Sequence, residues 1–433
     1  MNNHNVIISA AIFIIAYLLI TSGKVHRTIA AILGAMFMIS LKIIPQYKAF
    51  QYVDWNVIFL LISMMVLVAI IEKTGLLQYL AIKSAKIARG EPYRIMFFLI
   101  LITALFSAFL DNVTTVVIIA PVTILIAREL GISPIPFLIS DAFASNIGGT
   151  ATLIGDPPNI MIGSAAHLSF IAFLKNLAPP IFIMIIILPF IMKLLMGKKM
   201  IVSYERKARI MEFDTSKIIQ NKPLLKKSLI IFSLVVIGFF IHEFVDLEVA
   251  TIAMTGAFLL IISIGNQKET LRELFSKVEW PSIFFFIGFF IIVGGLVEVG
   301  IIKTISTKLS TVFGKNILNA SLGTLWFSGI VSSIFDNVPF VATMIPVIKD
   351  IGAQWGIMQG MRPIWWSLSL GACLGGNITL IGAAANVVVT DISDRNGYPI
   401  SFWEFFKYGF LITFLNLLIS SFYIWIRYFV LKV

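Results

Sequence analysis

An all-α polytopic membrane protein built from two inverted-topology repeats is the fold this sequence predicts. Three observations predict it: a chain of 433 residues that is 59% hydrophobic and only 13% charged, apolar runs of the roughly 20 residues a helix needs to cross a bilayer, and a second half that repeats the motifs of the first. A soluble globule carries about a quarter charged residues, and a disordered chain does not hold 37 Phe among long aliphatic runs. One Cys and four His exclude a disulfide framework and a Cys/His zinc centre. The net charge of +11 lies in short stretches between the runs, which points to the lipid bilayer as partner and to no nucleic acid.

Residues 6–23, 28–44, 53–71, 177–196, 228–242, 249–264, 282–299 and 409–429 each read as one crossing. The regions 93–129 with 134–167, and 316–349 with 363–390, are interrupted by Asp, Asn, Gly and Pro where a simple span should be most apolar. They read as a re-entrant hairpin followed by a broken helix in each half. The first repeat is thus 1–196, with scaffold spans in 6–71, hairpin 93–129, broken helix 134–167 and span 177–196. A basic linker, 197–228, leads to the second repeat, 229–433, with scaffold spans in 229–299, hairpin 316–349, broken helix 363–390 and span 409–429. The total is about ten spans plus two hairpins. No basic n-region precedes the first run, which reads as a retained span.

The linker holds nine Lys or Arg against three acids, which places it in the cytoplasm. The N-terminus then lies outside, loops with Lys24, Arg27, Lys83, Lys86 and Arg89 lie inside, and the acidic turn 243–248 lies outside. Lys303, Lys308 and Lys315 fall outside, against the trend.

The repeat is direct to read. Val53-Asp54-Trp55, Gly75, Asp111-Asn112-Val113 and Pro121 recur 225 residues later as Val278-Glu279-Trp280, Gly300, Asp336-Asn337-Val338 and Pro346. Gly148-Gly149-Thr150-Ala151-Thr152-Leu153-Ile154-Gly155 and Asn159 recur as Gly375-Gly376-Asn377-Ile378-Thr379-Leu380-Ile381-Gly382 and Asn386. Five crossings per copy, an odd number, invert the second. Inverted repeats with interrupted segments point to a transporter whose site lies near the midplane, because open backbone is tolerated in lipid only where it lines a cavity.

Candidate contacts follow from the interruptions. Asn112 and Thr114 stand at the first hairpin tip and Asn337 at the second; Asn146, Thr150, Thr152 and Asn159 supply neutral oxygens in the first break, as Asn386 does in the second. Asp111, Asp141, Asp156 and Asp336 are acids at membrane depth and hence candidate coupling groups for H⁺ or Na⁺. A role for the tip Asp-Asn pairs as helix caps competes with this, as close helix packing does for the glycines. Asp156-Pro157-Pro158 gives way to Ala383-Ala384-Ala385, and Asp141 to Leu368, so the repeats differ chemically. Cys373 reads as a packing residue, and no resident cofactor is expected.

These motifs resemble the ion transporter superfamily, in the group of arsenite efflux permeases, NhaD-type Na⁺/H⁺ antiporters and the melanosomal P protein. Residues 336–347 and 371–388 look like the P protein's, and 146–159 is similar to the group's first-repeat signature. The resemblance implies a scaffold and a transport domain in a homodimer, with elevator motion. It implies ion or substrate contacts at Asn112, Gly148, Gly149, Thr150, Asn337, Gly375, Gly376, Asn377 and Thr379, and Na⁺ near Asn112 with Gly149 and near Asn337 with Gly376. Distant Na⁺/dicarboxylate members carry Ser-Asn-Thr at their tips, so the aspartates here speak against a dianion.

The leading expectation is a secondary transporter of the cell membrane exporting arsenite or antimonite with H⁺ or Na⁺. Na⁺/H⁺ antiport, motivated by the four acids, and Na⁺-coupled citrate-like uptake are the alternatives. A channel is the competitor from another class. An enzyme is not expected, since no nucleophile–base pair, metal cluster or nucleotide loop is visible. An ATP-driven pump would need a partner ATPase, as no Gly-x-x-x-x-Gly-Lys-Ser/Thr loop is present.

Overall fold

The structure, a computed structural model, describes residues 3–197, 200–215, 218–219, 221–264 and 268–432. Three basic residues of the linker, at 198, 199 and 217, lie outside those residues. Every regular element among the described residues is helical. The first half runs α1 Asn3–Ser22, α2 Arg27–Ser40, α3 Gln46–Gln51, α4 Trp55–Glu72, α5 Leu76–Ile87, α6 Pro92–Ser107, α7 Asn112–Leu130, α8 Ile135–Gly149, α9 Pro157–Ala166 and α10 Phe170–Met196. After α11 Tyr204–Glu212 the same order returns. It comprises α12 Lys222–Ile241, α13 Val249–Ile264, α14 Lys268–Ser276, α15 Trp280–Glu298, α16 Ile301–Phe313, α17 Ile317–Ile334, α18 Asn337–Trp355, α19 Arg362–Gly375, α20 Ala384–Arg395 and α21 Phe402–Ile424.

Eight of the described helices are long and apolar enough to cross a membrane, and α2, α6 and α13 are shorter apolar helices. The protein is a multi-pass membrane protein. The repeat extends to backbone detail: Gly75 and Gly300, which open α5 and α16, have φ of 75° and 74°, a left-handed conformation that favours glycine.

Several boundaries differ from the sequence reading. Lys83 and Lys86 lie on α5, and Lys303 and Lys308 on α16, where loops are expected; these short helices place their polar residues on one side and so escape a search for uniformly apolar runs. The linker contains α11. The span expected at 177–196 begins at Phe170, capped by Ser169 Oγ accepting from Ala172 N at 3.2 Å. It continues through Pro179, Pro180 and Pro189, as membrane helices can when neighbours re-satisfy the freed carbonyls. The span expected at 409–429 begins at Phe402, under a Ser401 cap.

The two broken helices exchange partners: α9 packs on α18 of the second repeat, and α20 on α7 of the first. That crossing brings both breaks to one place.

Candidate functional site

Each broken helix opens over a short segment, 150–156 between α8 and α9 and, after a 3-10 turn at Gly376–Ile378, 379–383 before α20. The opened carbonyls need donors, and one asparagine per break supplies them. Asn159 Nδ2 donates to Thr150 O at 3.1 Å and Thr152 O at 2.8 Å. Asn386 Nδ2 donates to Gly376 O at 2.8 Å and Thr379 O at 2.9 Å. Thr152 Oγ1 donates to Ala108 O, and Thr379 Oγ1 to Ser333 O, tying each break to its own hairpin. A Cβ on Gly148 would lie 2.3 Å from Ala104 O and one on Gly375 2.4 Å from Gly329 O, so these glycines allow helix-to-helix contact.

The expected contact residues therefore divide. Asn159, Thr150, Thr152, Thr379 and Asn386 hold the opened backbone, while Gly148 and Gly375 serve packing. Gly149 and Gly376 approach Gly155 O and Gly382 O, where a Cβ would stand at 2.7 Å in each case. None of these lines the central cavity. Asp141 is also elsewhere: fully buried between α6 and α7, it accepts from Thr123 Oγ1 at 2.8 Å and Thr103 Oγ1 at 3.4 Å. Its position in the membrane interior, read along one dimension, gives no sign of which helix face it occupies.

A cavity of about 60 Å³ lies where the hairpin tips, the breaks and the scaffold helices α2, α4 and α15 meet. Asp111, Asn112, Asn146, Asp156, Asp336 and Asn337 line it. The tip aspartates do cap their helices: Asp111 Oδ2 accepts from Thr114 N at 3.0 Å and Thr114 Oγ1 at 3.1 Å, and Asp336 Oδ1 from Val338 N at 3.0 Å. Capping and cavity lining are thus both true of them. Asp156 precedes Pro157 and makes no side-chain cap. Its carboxylate instead faces Asn337 Nδ2 at 3.4 and 3.5 Å.

Amides complete the wall. Asn146 Nδ2 donates to Asn377 Oδ1 at 2.7 Å and Asn386 Oδ1 at 2.9 Å, joining the repeats. The Asn112 amide is satisfied with its nitrogen donating to Gly155 O at 2.9 Å and Ser145 O at 3.2 Å. Its oxygen is then presented toward Asn146. Asn377 Nδ2 is buried and has no protein partner.

A family model for the CitMHS citrate transporters matches residues 17–371. The chain belongs to this family. The CitMHS chain is 42% identical over 429 residues to an uncharacterised transporter of Mycobacterium tuberculosis, covering 98% of this chain and 99% of that protein. It is 31% identical to the P protein of Sus scrofa over 508 aligned positions, covering 98% of this chain but 60% of that longer protein. Among solved structures, the YdaH transporter of Alcanivorax borkumensis matches with a TM-score of 0.58 at 15% identity, covering 91% of this chain and 88% of that one, a likeness of fold.

The cavity of the CitMHS chain is also lined by residues that the motifs do not reveal. Arg27, at the start of α2, and Glu279, Ser282 and Phe285, at the start of α15, line the cavity opposite the breaks. Arg27 Nη1 donates to Asp336 Oδ2 at 3.1 Å and Nη2 to Ser282 Oγ at 2.8 Å. The one sequence signal was Glu279 within the repeated Val-acid-Trp opening of α15. Two wider cavities adjoin, of about 230 Å³ beside Asp111, Glu279 and Lys277, and about 440 Å³ beside His26, Arg27 and Asp336. On another face His167, His242, Glu243, Asp246 and Glu248 line a cavity of about 300 Å³.

Proposed function

We propose that this transporter exchanges a small monovalent cation, Na⁺ or a chemical relative, for H⁺ at the carboxylates of the central cavity. One observation carries the reading: Asp111, Asp156, Asp336 and Glu279 surround about 60 Å³ of space against the single guanidinium of Arg27. Carboxylates taken out of water need a proton or a cation, and neutral amide oxygens beside them suit a hard ion. The space is above the ~10–15 Å³ that one water requires and far below the ~300–1,000 Å³ of ligand pockets for larger molecules. A citrate trianion would meet net like charge here, which is unfavourable at any short separation.

Export of arsenite or antimonite, coupled to the same cations, is the second reading. Its motivation is the amide-rich wall of Asn112, Asn146 and Asn337, whose groups suit an uncharged hydroxide. The wider cavities beside His26, Arg27 and Lys277 lie on the face that the basic loops assign to the cytoplasm, which supports an inward-open state of an elevator cycle.

Purified protein in liposomes holding a pH-sensitive dye tests this. Pulses of Na⁺ or Li⁺ are expected to dequench the dye. Silence to Na⁺, Li⁺ and K⁺ alike would overturn cation exchange. Arsenite uptake by everted vesicles under a pH gradient would support the second reading, and Na⁺-dependent citrate binding would return the assignment to carboxylates.

A further inference from the structure

The two hairpin tips have the same sequence, Asp111-Asn112-Val113 and Asp336-Asn337-Val338, yet their carboxylates are satisfied differently. Asp111 Oδ2 takes both the backbone N–H and the hydroxyl of Thr114. The residue at that place in the second tip is Pro339, which has neither a backbone N–H nor a hydroxyl. Asp336 therefore caps one residue earlier, through Oδ1 to Val338 N, and its Oδ2 is left to Arg27 at 3.1 Å.

Arg27 belongs to the scaffold. Its helix α2 packs on α15, and α15 holds the other side of the guanidinium through Ser282 Oγ at 2.8 Å, Glu279 Oε1 at 3.6 Å and the Phe285 ring, 5.4 Å from the guanidinium carbon. Laying α2 on α13 by their shared Gly-Ala pairs, 34–35 and 256–257, puts Val249 opposite Arg27. The first tip thus has no equivalent arginine. One side chain, present in one repeat only, spans the boundary between the scaffold and the second hairpin.

We infer that Arg27 is a displaceable tether: it holds the unloaded carrier in place through Asp336 and lets go when a cation or proton occupies that carboxylate. The inference rests on the cation-exchange reading and adds its coupling device. The side chains of Arg27 and Asp336 are 27% and 17% exposed, so the pair is stronger than a surface bridge and still open to exchange. A neutralised Asp336 no longer attracts the guanidinium. The groups facing Arg27 and Asp336 are Glu279, Asp111, Asp156, His26 and Tyr17, and the three other acids keep the surrounding field negative, favouring cation entry. Because the unloaded carrier stays tied, ions cross only in exchange.

The test uses the full chain in liposomes with a pH dye. Arg27→Gln is expected to dissipate an imposed pH gradient in Na⁺-free medium on the order of tenfold faster than the wild type, and to lower the Na⁺ concentration for half-maximal exchange by a similar factor. Arg27→Lys, which keeps the charge and loses the two-pronged reach, is expected to fall between them. If wild type exchanges cations while Arg27→Gln matches it in both measures, the tether is wrong. Should Arg27→Gln not fold, the same two measures on Arg27→Lys decide in the same way. A wild type that exchanges no cation overturns the cation-exchange reading itself.

Discussion

The break at 150–156 and the break at 379–383 are held open by the same kind of bonds, and only the first carries an acid. Asn159 and Asn386 reach back to the equivalent Thr152 and Thr379 carbonyls and to a second carbonyl that differs by one residue in register, Thr150 O against Gly376 O, and Thr152 and Thr379 tie to equivalent hairpin positions. At the entrance to the next helix, however, Asp156 stands where the second repeat has Ala383. The comparison teaches that what the repeats share keeps the backbone open, and what they do not share sets the charge of the cavity. Arg27, Asp156 and Pro339 are all on the unshared side.

Removing the unshared acid should have the largest effect. Asp156→Asn keeps the shape, deletes a cavity charge, and is expected to slow dye-reported exchange on the order of a hundredfold, the scale of losing one buried charged partner. An undiminished rate would dissolve the contrast between the breaks. Asn159→Ala and Asn386→Ala should come next, and about equally in stability: each orphans two buried carbonyls, at about 1–3 kcal/mol, readable as earlier thermal unfolding in detergent. They should part in transport, since only Asn386 accepts from the cavity-lining Asn146. The smallest effect is expected for Asp141→Asn. This acid is also confined to the first repeat, but it is enclosed by Thr103 and Thr123 away from the cavity. Exchange should stay within roughly twofold of the wild type; a hundredfold loss would mean that unshared acids matter wherever they lie.

Much of the fold was legible because lipid leaves few alternatives: a span must be apolar along its whole length, so Asp111, Asp336 and the glycine-rich stretches stood out against it. The amphipathic helices α5 and α16 were not legible, since helices lying along other surfaces need only one apolar stripe. Within the breaks the motif gives the polar residues but not their partners. Asn159 and Asn386 look like ligands in one dimension and prove to be the donors that satisfy their own opened backbone.

By itself the sequence determined a membrane-spanning helical chain, its duplication and the places where helices must open, because each of these is a local property of composition or spacing. Only the tertiary structure decided which polar groups meet. Arg27 and Asp336 are 309 residues apart in the chain and 3.1 Å apart in space, and Asp141, on the same helix α8 that leads into the first break, faces Thr103 and Thr123 and not the cavity. Side-chain convergence depends on helix rotation and on the crossing of α9 with α18 and α20 with α7. Those are set by packing between distant segments, which no local pattern encodes.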